Sequence, residues 1–175
     1  MEQGAHFGLP EWALLLIVIL LMTFAAADCN IPVQIPWRNA ETFPIRGGDF
    51  EHGGEVATRI KSICKELGIR PDLIRRLSIA NFEAEMNVIM YAQQAELSFR
   101  VLPEAVRVVV ADRGQGIPDI ELAMTPGWST ATPEMRARGF GAGLGLPNIR
   151  NSADEFRLES TPGVGTTLTY AVRLA

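Results

Sequence analysis

The sequence from Val106 to Leu146 begins VRVVVADRGQGI (106–117) and closes GFGAGLGL (139–146), and these two ends decide the fold. The Val-rich run at 106–111 is typical of a buried strand. An acid and two alternating glycines follow it, which indicates a loop lying close to another group. The second glycine series runs directly into Pro147, where a helix is predicted to begin. Two glycine loops, an acid and a helix N-terminus favour a nucleotide site.

Composition narrows the classes of partner. The chain has 175 residues, 47% of them hydrophobic, with a formal net charge of -4. An acidic chain without a basic face is not expected to bind nucleic acid. The only two cysteines, Cys29 and Cys64, have a spacing that fits neither a metal site nor a disulfide framework. The length allows one domain plus an extension.

The extension is an apolar run at 12–27, interrupted only by Thr23. We expect residues 1–29 to form an N-terminal membrane anchor and residues 30–39, with Pro32 and Pro36, to form a linker. A signal-peptide core or an upstream stretch outside the working protein are the alternatives. Lys and Arg occur only after the run, so the rest of the chain is expected to face the cytoplasm.

Periodicity predicts the remaining elements. Apolar residues at helical spacing predict helices over 54–67 and from Pro71 to about Gln94, with shorter helices at 118–124 and 146–153. Strands are expected at 41–45, 97–102, 106–111, 156–160 and 166–174. The polar segment 125–138 has no apolar period and predicts a mobile loop. The mixed order of elements favours an α+β class, a two-layer sandwich whose mixed sheet carries helices on one face.

Three groups of polar or glycine residues are expected to converge on this sheet. Glu83 and Asn87 are four residues apart, so they share one face of the long helix. An Asn oxygen suits Mg²⁺, and a Glu one turn earlier could deprotonate a hydroxyl nucleophile. Asp112 could accept a hydrogen bond from the exocyclic amine of adenine. Taken singly, such residues are usually solvated helix surface or ordinary turns. Neither the dinucleotide-binding glycine spacing nor a phosphate-loop lysine is present.

In this order the motifs resemble those of the GHKL, or histidine-kinase-like, ATPase superfamily. Its Glu-x-x-x-Asn box resembles Glu83 to Asn87, its Asp-x-Gly-x-Gly-Ile box resembles Asp112 to Ile117, and its glycine box resembles 139–146. The closing Gly-Thr-Thr resembles 165–167, where Thr167 is favoured over Thr166 for adenine recognition. The resemblance implies an ATPase domain at 40–175, with Glu83 catalytic, Asn87 binding Mg²⁺, and ATP held by Asn87, Asp112, Gly114, Gly116, Ile117, Gly141, Gly143, Leu144, Gly145, Leu146 and Thr167.

Within the superfamily the chain is similar to the RsbW/RsbT type of anti-sigma factors and serine/threonine protein kinases. That similarity implies transfer of the ATP γ-phosphate to Ser or Thr of a STAS-domain partner, and a homodimer is a possible assembly of this chain. The alternative is a nucleotide-dependent binding module that sequesters a sigma factor or a phosphatase without phosphotransfer. A histidine kinase fragment would need a phospho-accepting His on a dimerising helix, and neither His6 nor His52 has that context.

Overall fold

The structure is a computed structural model that describes residues 41–175. The predictions of an anchor at 1–29 and a linker at 30–39 fall outside the described residues. Within 41–175, no helix is both long and apolar enough to cross a membrane. In chain order the elements are β1 (Glu41–Arg46), α1 (Glu55–Glu66), α2 (Pro71–Tyr91), β2 (Ala92–Val101), β3 (Ala105–Gly114), α3 (Ile120–Ala123), α4 (Pro133–Ala137), α5 (Gly145–Ser152), β4 (Glu155–Thr161) and β5 (Gly165–Arg173).

The five strands form one sheet in the order β1-β2-β3-β5-β4. Every pair of neighbouring strands is antiparallel. The α+β sandwich is therefore confirmed, but the expected mixed sheet is wrong for the described strands. Short connections join β2 to β3 and β4 to β5, and a strand that returns through a tight turn pairs antiparallel with its predecessor.

The core lies between one face of this sheet and the helices. Cross-strand rows supply the sheet side, for example Phe99, Val108 and Tyr170, which are paired in register and at most 3% exposed. The helix side is an apolar stripe on α1 and α2, whose buried residues include Ile60, Ile63, Leu73, Leu77, Ala80, Ala84 and Val88. Burial of such matched apolar faces supplies the main stabilisation of the domain.

Two helix ends follow the expected rules. Gly68 follows α1 with φ +71°, a left-handed conformation that favours glycine after a helix. Pro71 occupies the first turn of α2, where its missing N–H costs nothing.

The buried carboxylate of Glu85 on α2 accepts hydrogen bonds from the backbone N–H groups of Gly54, Val56 and Ala57. It thereby satisfies free donors at the start of α1 and joins the two helices.

The expected boundaries differ from the structure at two places. The long helix ends at Tyr91 and not at Gln94, and β2 begins at Ala92, five residues before the expected Leu97. Ala92 has an extended backbone, and the register of β2 against β3 shifts between Ala92 and Gln94. The segment 125–138 is also more regular than predicted, because Thr132 caps a short helix, α4, through the N–H of Met135.

Candidate functional site

A cavity of about 550 Å³ opens between α2, the end of β3 and the segment 125–146. Three elements bring polar groups to it: α2 contributes Glu83 and Asn87, β3 contributes Asp112, and β5 contributes Thr166. Apolar side chains form much of the remaining wall, including Val110, Leu158 and Leu168. An apolar pocket with a few convergent polar groups is typical of a small-molecule site.

Glu83 and Asn87 lie one turn apart on α2, and both are half-buried. The Oε1 atom of Glu83 accepts a hydrogen bond of 2.7 Å from the Nδ2 of Asn148. Gly145, at the start of α5, lies directly against the pair: a Cβ built on it would be 3.1 Å from Asn87 Oδ1 and 3.4 Å from Glu83 Oε2. A side chain at position 145 would therefore contact both groups, and glycine adds none.

Asp112, on β3, is the second acid in the cavity wall. Its Oδ1 accepts a hydrogen bond of 3.1 Å from the backbone N–H of Thr166. Burial raises the pKa of the Asp112 carboxyl, and the hydrogen bond from Thr166 only partly offsets that rise. Behind it, the hydroxyl of Ser160 lies 2.9 Å from the Thr166 hydroxyl and accepts from the Ile117 N–H at 2.8 Å. Asp112 is therefore held by a local polar network with acceptor capacity to spare.

The segment 125–138, which we call the lid, folds against the glycine box at 139–146. The Gly127 N–H donates to the Gly143 carbonyl at 2.9 Å. Gly143 has φ +71°, and a Cβ on it would lie 2.6 Å from the Trp128 nitrogen, so a larger residue would displace the lid. From α2, the Tyr91 hydroxyl lies 3.5 Å from the Ser129 hydroxyl. The lid and the glycine box are thus in direct contact over the cavity.

The structure places most of the sequence-predicted residues around this cavity. Its lining includes Glu83, Asn87, Asp112, Gly116, Ile117, Gly141, Gly143, Leu144, Gly145 and Leu146. Gly114 and Thr167 are the two predicted residues that lie outside this lining. Gly114 packs on the start of β2, where a Cβ would lie 2.9 Å from the Ala92 Cα. Thr167 is adjacent to Thr166 on β5, and successive strand residues point to opposite faces of the sheet.

Sequence reasoning also missed polar residues that support the site. Asn148 and Ser160 hydrogen-bond to groups of the cavity wall, but each is one polar residue in an ordinary helix or strand. No spacing rule relates Asn148 to Glu83, 65 residues earlier. Thr166 could have been found only from the register of β5, because alternation places it on the same face as the buried Leu168 and Tyr170.

The side chains of the site could supply only part of the ligand set of a bound Mg²⁺ ion. Among residues 41–175, no group of three His, Cys, Asp or Glu side chains could hold a metal ion. The Asn87 Nδ2 is buried and has no hydrogen-bond partner within that part of the chain, and the side-chain oxygen Oδ1, the atom that could ligate a metal, lies against Gly145. Mg²⁺ commonly takes one or two protein ligands and completes its shell with phosphate oxygens and water. The Asn87 amide beside Gly145 suits such a role.

Comparison with known proteins agrees with this geometry. Residues 48–171 match the family model of the histidine kinase-like ATPase domain. Over 112 residues the chain is 30% identical to the serine/threonine-protein kinase RsbT of Bacillus subtilis (strain 168). This alignment covers 62% of this chain and 78% of RsbT. It is 31% identical over 114 residues to the anti-sigma F factor of Caldanaerobacter subterraneus subsp. tengcongensis, covering 62% of this chain and 76% of that factor.

Among solved structures, the RsbU and RsbW domains of a Mycobacterium tuberculosis protein superpose with a TM-score of 0.52 at 17% sequence identity. The match covers 77% of this chain but only 32% of that longer protein. At this identity the likeness shows a shared fold.

Proposed function

The chain belongs to the histidine kinase-like ATPase family, and from that premise we propose that it is an ATP-dependent serine/threonine protein kinase acting as an anti-sigma or switch regulator. One observation carries the proposal. Glu83 and Asn87 both reach the cavity from α2, and Gly145 adds no side chain that would cover them. A module that only held a nucleotide would have no need of a second carboxylate in the cavity wall that can act as a base.

In this proposal the adenine lies at Asp112, whose free acceptor capacity suits an exocyclic amine. Thr166, and not Thr167, supports that end, because Thr166 lines the cavity and binds Asp112. The phosphates lie at the glycine box, where backbone can approach closely and the Gly145 and Leu146 N–H groups begin α5. Asn87 would hold Mg²⁺, which neutralises charge on the phosphates when bound.

The proposed chemical step uses the carboxylate of Glu83. It takes the proton from a Ser or Thr hydroxyl of the partner protein, and the hydroxyl oxygen forms a bond to the γ-phosphorus. The bond between that phosphorus and the β,γ-bridging oxygen breaks, and ADP leaves with the electron pair. The products are a phosphorylated Ser or Thr, ADP and a protonated Glu83, which returns its proton to water.

The proposed acceptor is a STAS-domain protein, as the resemblance to the RsbW/RsbT type implies. A second candidate is a binding module that sequesters a sigma factor or a phosphatase without phosphotransfer. The relatives named anti-sigma F factor favour this candidate, because that name describes action on a sigma factor. Retention of a sigma factor on the immobilised chain, compared with ADP and with ATP, separates sequestration from transfer.

Transfer of label from γ-labelled ATP to each STAS-domain protein of the same genome tests the kinase proposal. We expect Glu83→Gln to slow transfer about 10² to 10⁴-fold, the usual contribution of a general base, with little change in ATP affinity. Glu96→Gln is the matched control, because Glu96 is an exposed acid on β2 outside the cavity lining. Absence of label on every acceptor would show that the kinase proposal is wrong, and full activity of Glu83→Gln would show that Glu83 is not the base.

A further inference from the structure

Asn148 joins two elements that lie far apart in the sequence. Its amide is the donor of the 2.7 Å hydrogen bond to Glu83 Oε1, which spans 65 residues and links α5 to α2. An ionised carboxylate only accepts hydrogen bonds, so the amide nitrogen, and not the amide oxygen, must face Glu83. The bond fixes the direction of one carboxylate oxygen.

The same turn of α5 places no side chain at Gly145, beside the second oxygen. Gly145 and Asn148 are three residues apart, so they lie on one face of α5 and both meet α2. At Gly145 the nearest side-chain atoms are those of Asn87 and Glu83 Oε2, and a Cβ would be 3.1 to 3.4 Å from them. One position therefore supplies a donor to Oε1, and the other supplies no atom that would cover Oε2.

The element that carries Asn148 is firmly seated. Ile149 is fully buried, Pro147 is buried, and the Ser152 carbonyl accepts a 3.0 Å hydrogen bond from Arg76 Nε on α2. A side chain presented from a packed helix holds its partner more accurately than one on a loop. Because α5 is anchored to α2 at both ends, Asn148 can impose an orientation on Glu83.

The chemistry of the amide also suits this task. A Lys or Arg at this position would form an ion pair with Glu83 and make its carboxylate a weaker base. The Asn148 amide is neutral, so it orients the carboxylate without cancelling its charge. Asn151 on the same helix is exposed, as is usual for a polar surface residue. Asn148 is instead half-buried, and its amide is directed at Glu83.

We infer that Asn148 is a positioning residue: it holds Glu83 through Oε1 so that Oε2 is free to take the proton of the acceptor hydroxyl. This inference rests on the proposed kinase function. Misplacement of a reacting group by about 1 Å can cost about a hundredfold in rate, so loss of the bond should be visible in turnover.

The effect on turnover is measured by single-turnover transfer of label from γ-labelled ATP to the STAS-domain acceptor that the labelling experiment above identifies. We expect Asn148→Ala to slow transfer about ten- to a hundredfold, while the KM for ATP and the Kd for ADP change less than about threefold. Asn148→Asp, which replaces the donor by a like charge of the same size, should slow transfer at least as much. Asn151→Ala, on the exposed face of the same helix, is the matched control and should match the wild type.

A double-mutant cycle separates positioning from a structural effect. In a Glu83→Ala background, Asn148→Ala should cause no further loss, because the group it positions is gone. An equal loss in both backgrounds, or wild-type transfer by Asn148→Ala, would overturn the positioning role while the kinase proposal stands. Full transfer by Glu83→Ala would overturn the positioning role and the role of Glu83 as base, and absence of transfer by the wild type would overturn the kinase proposal itself.

Discussion

At the scale of single residues, the half-buried carboxyl of Asp112 affects the stability of the fold and is also the group proposed to bind adenine. Burial raises the pKa of its carboxyl, so the folded chain holds this proton to a higher pH than the unfolded chain does. As pH rises through that window, which begins in the ordinary aspartate range, the unfolded state ionises first. The contribution of Asp112 to stability therefore falls as pH rises, and the loss is complete above the raised pKa.

We predict that Asp112→Asn separates these two effects. The Asn oxygen can still accept from the Thr166 N–H but carries no charge, so the stability of the variant relative to wild type should improve as pH rises through the window. ATP should bind about ten- to a hundredfold more weakly, the usual value of a hydrogen bond to a charged acceptor. Urea unfolding between pH 4 and 7 and titration with a fluorescent ATP analogue measure both.

Asp119→Asn is the control for this prediction. Asp119 is exposed and caps α3, and Asn caps a helix as well as Asp does. A stability difference between Asp112→Asn and wild type that stayed flat with pH would contradict the burial argument. Unchanged ATP affinity would remove Asp112 from the proposed adenine site.

The residues of the site differ in how far the sequence reveals them. Glu83, Asn87 and Asp112 stand in spaced motifs, and helical periodicity alone places the first two on one face. Asn148 carries no such signal, and the Gly-Thr-Thr motif includes Thr166 without distinguishing it from Thr167. The role of Thr166 depends on strand register, where a shift of one residue exchanges the two faces. The role of Asn148 depends on how α5 packs on α2, a tertiary contact that local pattern does not encode.

At the scale of elements, too, the sequence reveals some features and not others. The stripes of α1 and α2 could be predicted because burial on one face leaves a repeat in the sequence. The junction at Ala92 could not, since the strand there begins in Ala92-Gln93-Gln94, which has no apolar alternation, and β3 pairs with it as far as Gly114. Tertiary pairing decided that boundary over local preference.

The lid is the element whose order is least expected from its polar sequence. Arg136 on α4 donates to three backbone carbonyls, those of Ser129, Ala131 and Gly141, at 3.3 to 3.4 Å. The Arg138 guanidinium lies 4.8 Å from the centre of the Phe50 ring, and Phe50 packs against Phe140 with ring centres 5.9 Å apart. These contacts join the lid to the glycine box and to the loop before α1.

We predict that Arg136→Ala loosens the lid. Loss of its three hydrogen bonds should raise amide hydrogen exchange in the peptide 125–138 and speed ADP dissociation about two- to tenfold, since each exposed bond contributes modestly. Hydrogen exchange by mass spectrometry and stopped-flow release of fluorescent ADP provide the measurements. Arg136→Lys should behave like Arg136→Ala, because Lys keeps the charge but lacks the planar fork that reaches several carbonyls.

The control for the lid is Arg100→Ala, which removes a charge from an exposed position of β2 outside the cavity lining. It should leave both measurements unchanged. If Arg136→Lys retained wild-type exchange and release, the charge of Arg136 and not its carbonyl contacts would be responsible.

At the scale of the whole molecule, the division of the chain remains a prediction from the sequence. The apolar run at 12–27 would hold the ATPase domain at a membrane, with residues 30–39 as a linker and residues 40–175 as the domain. The matched family region, 48–171, lies inside that domain. Membrane attachment would confine the proposed kinase to partners that reach the membrane surface.

Fractionation of cells that express the full chain, or the chain without residues 1–29, tests this organisation. We expect the full chain in a carbonate-washed membrane fraction and the shortened chain in the supernatant, because the apolar run supplies the affinity for lipid. Replacing Leu16 and Ile19 by Asp is a control of equal length, since charges at the centre of the run oppose insertion.

ATP affinity should be the same in all three proteins if residues 40–175 form the domain. A full chain that stays in the supernatant would show that the run is not an anchor, and loss of ATP binding on truncation would move the domain boundary towards the N-terminus.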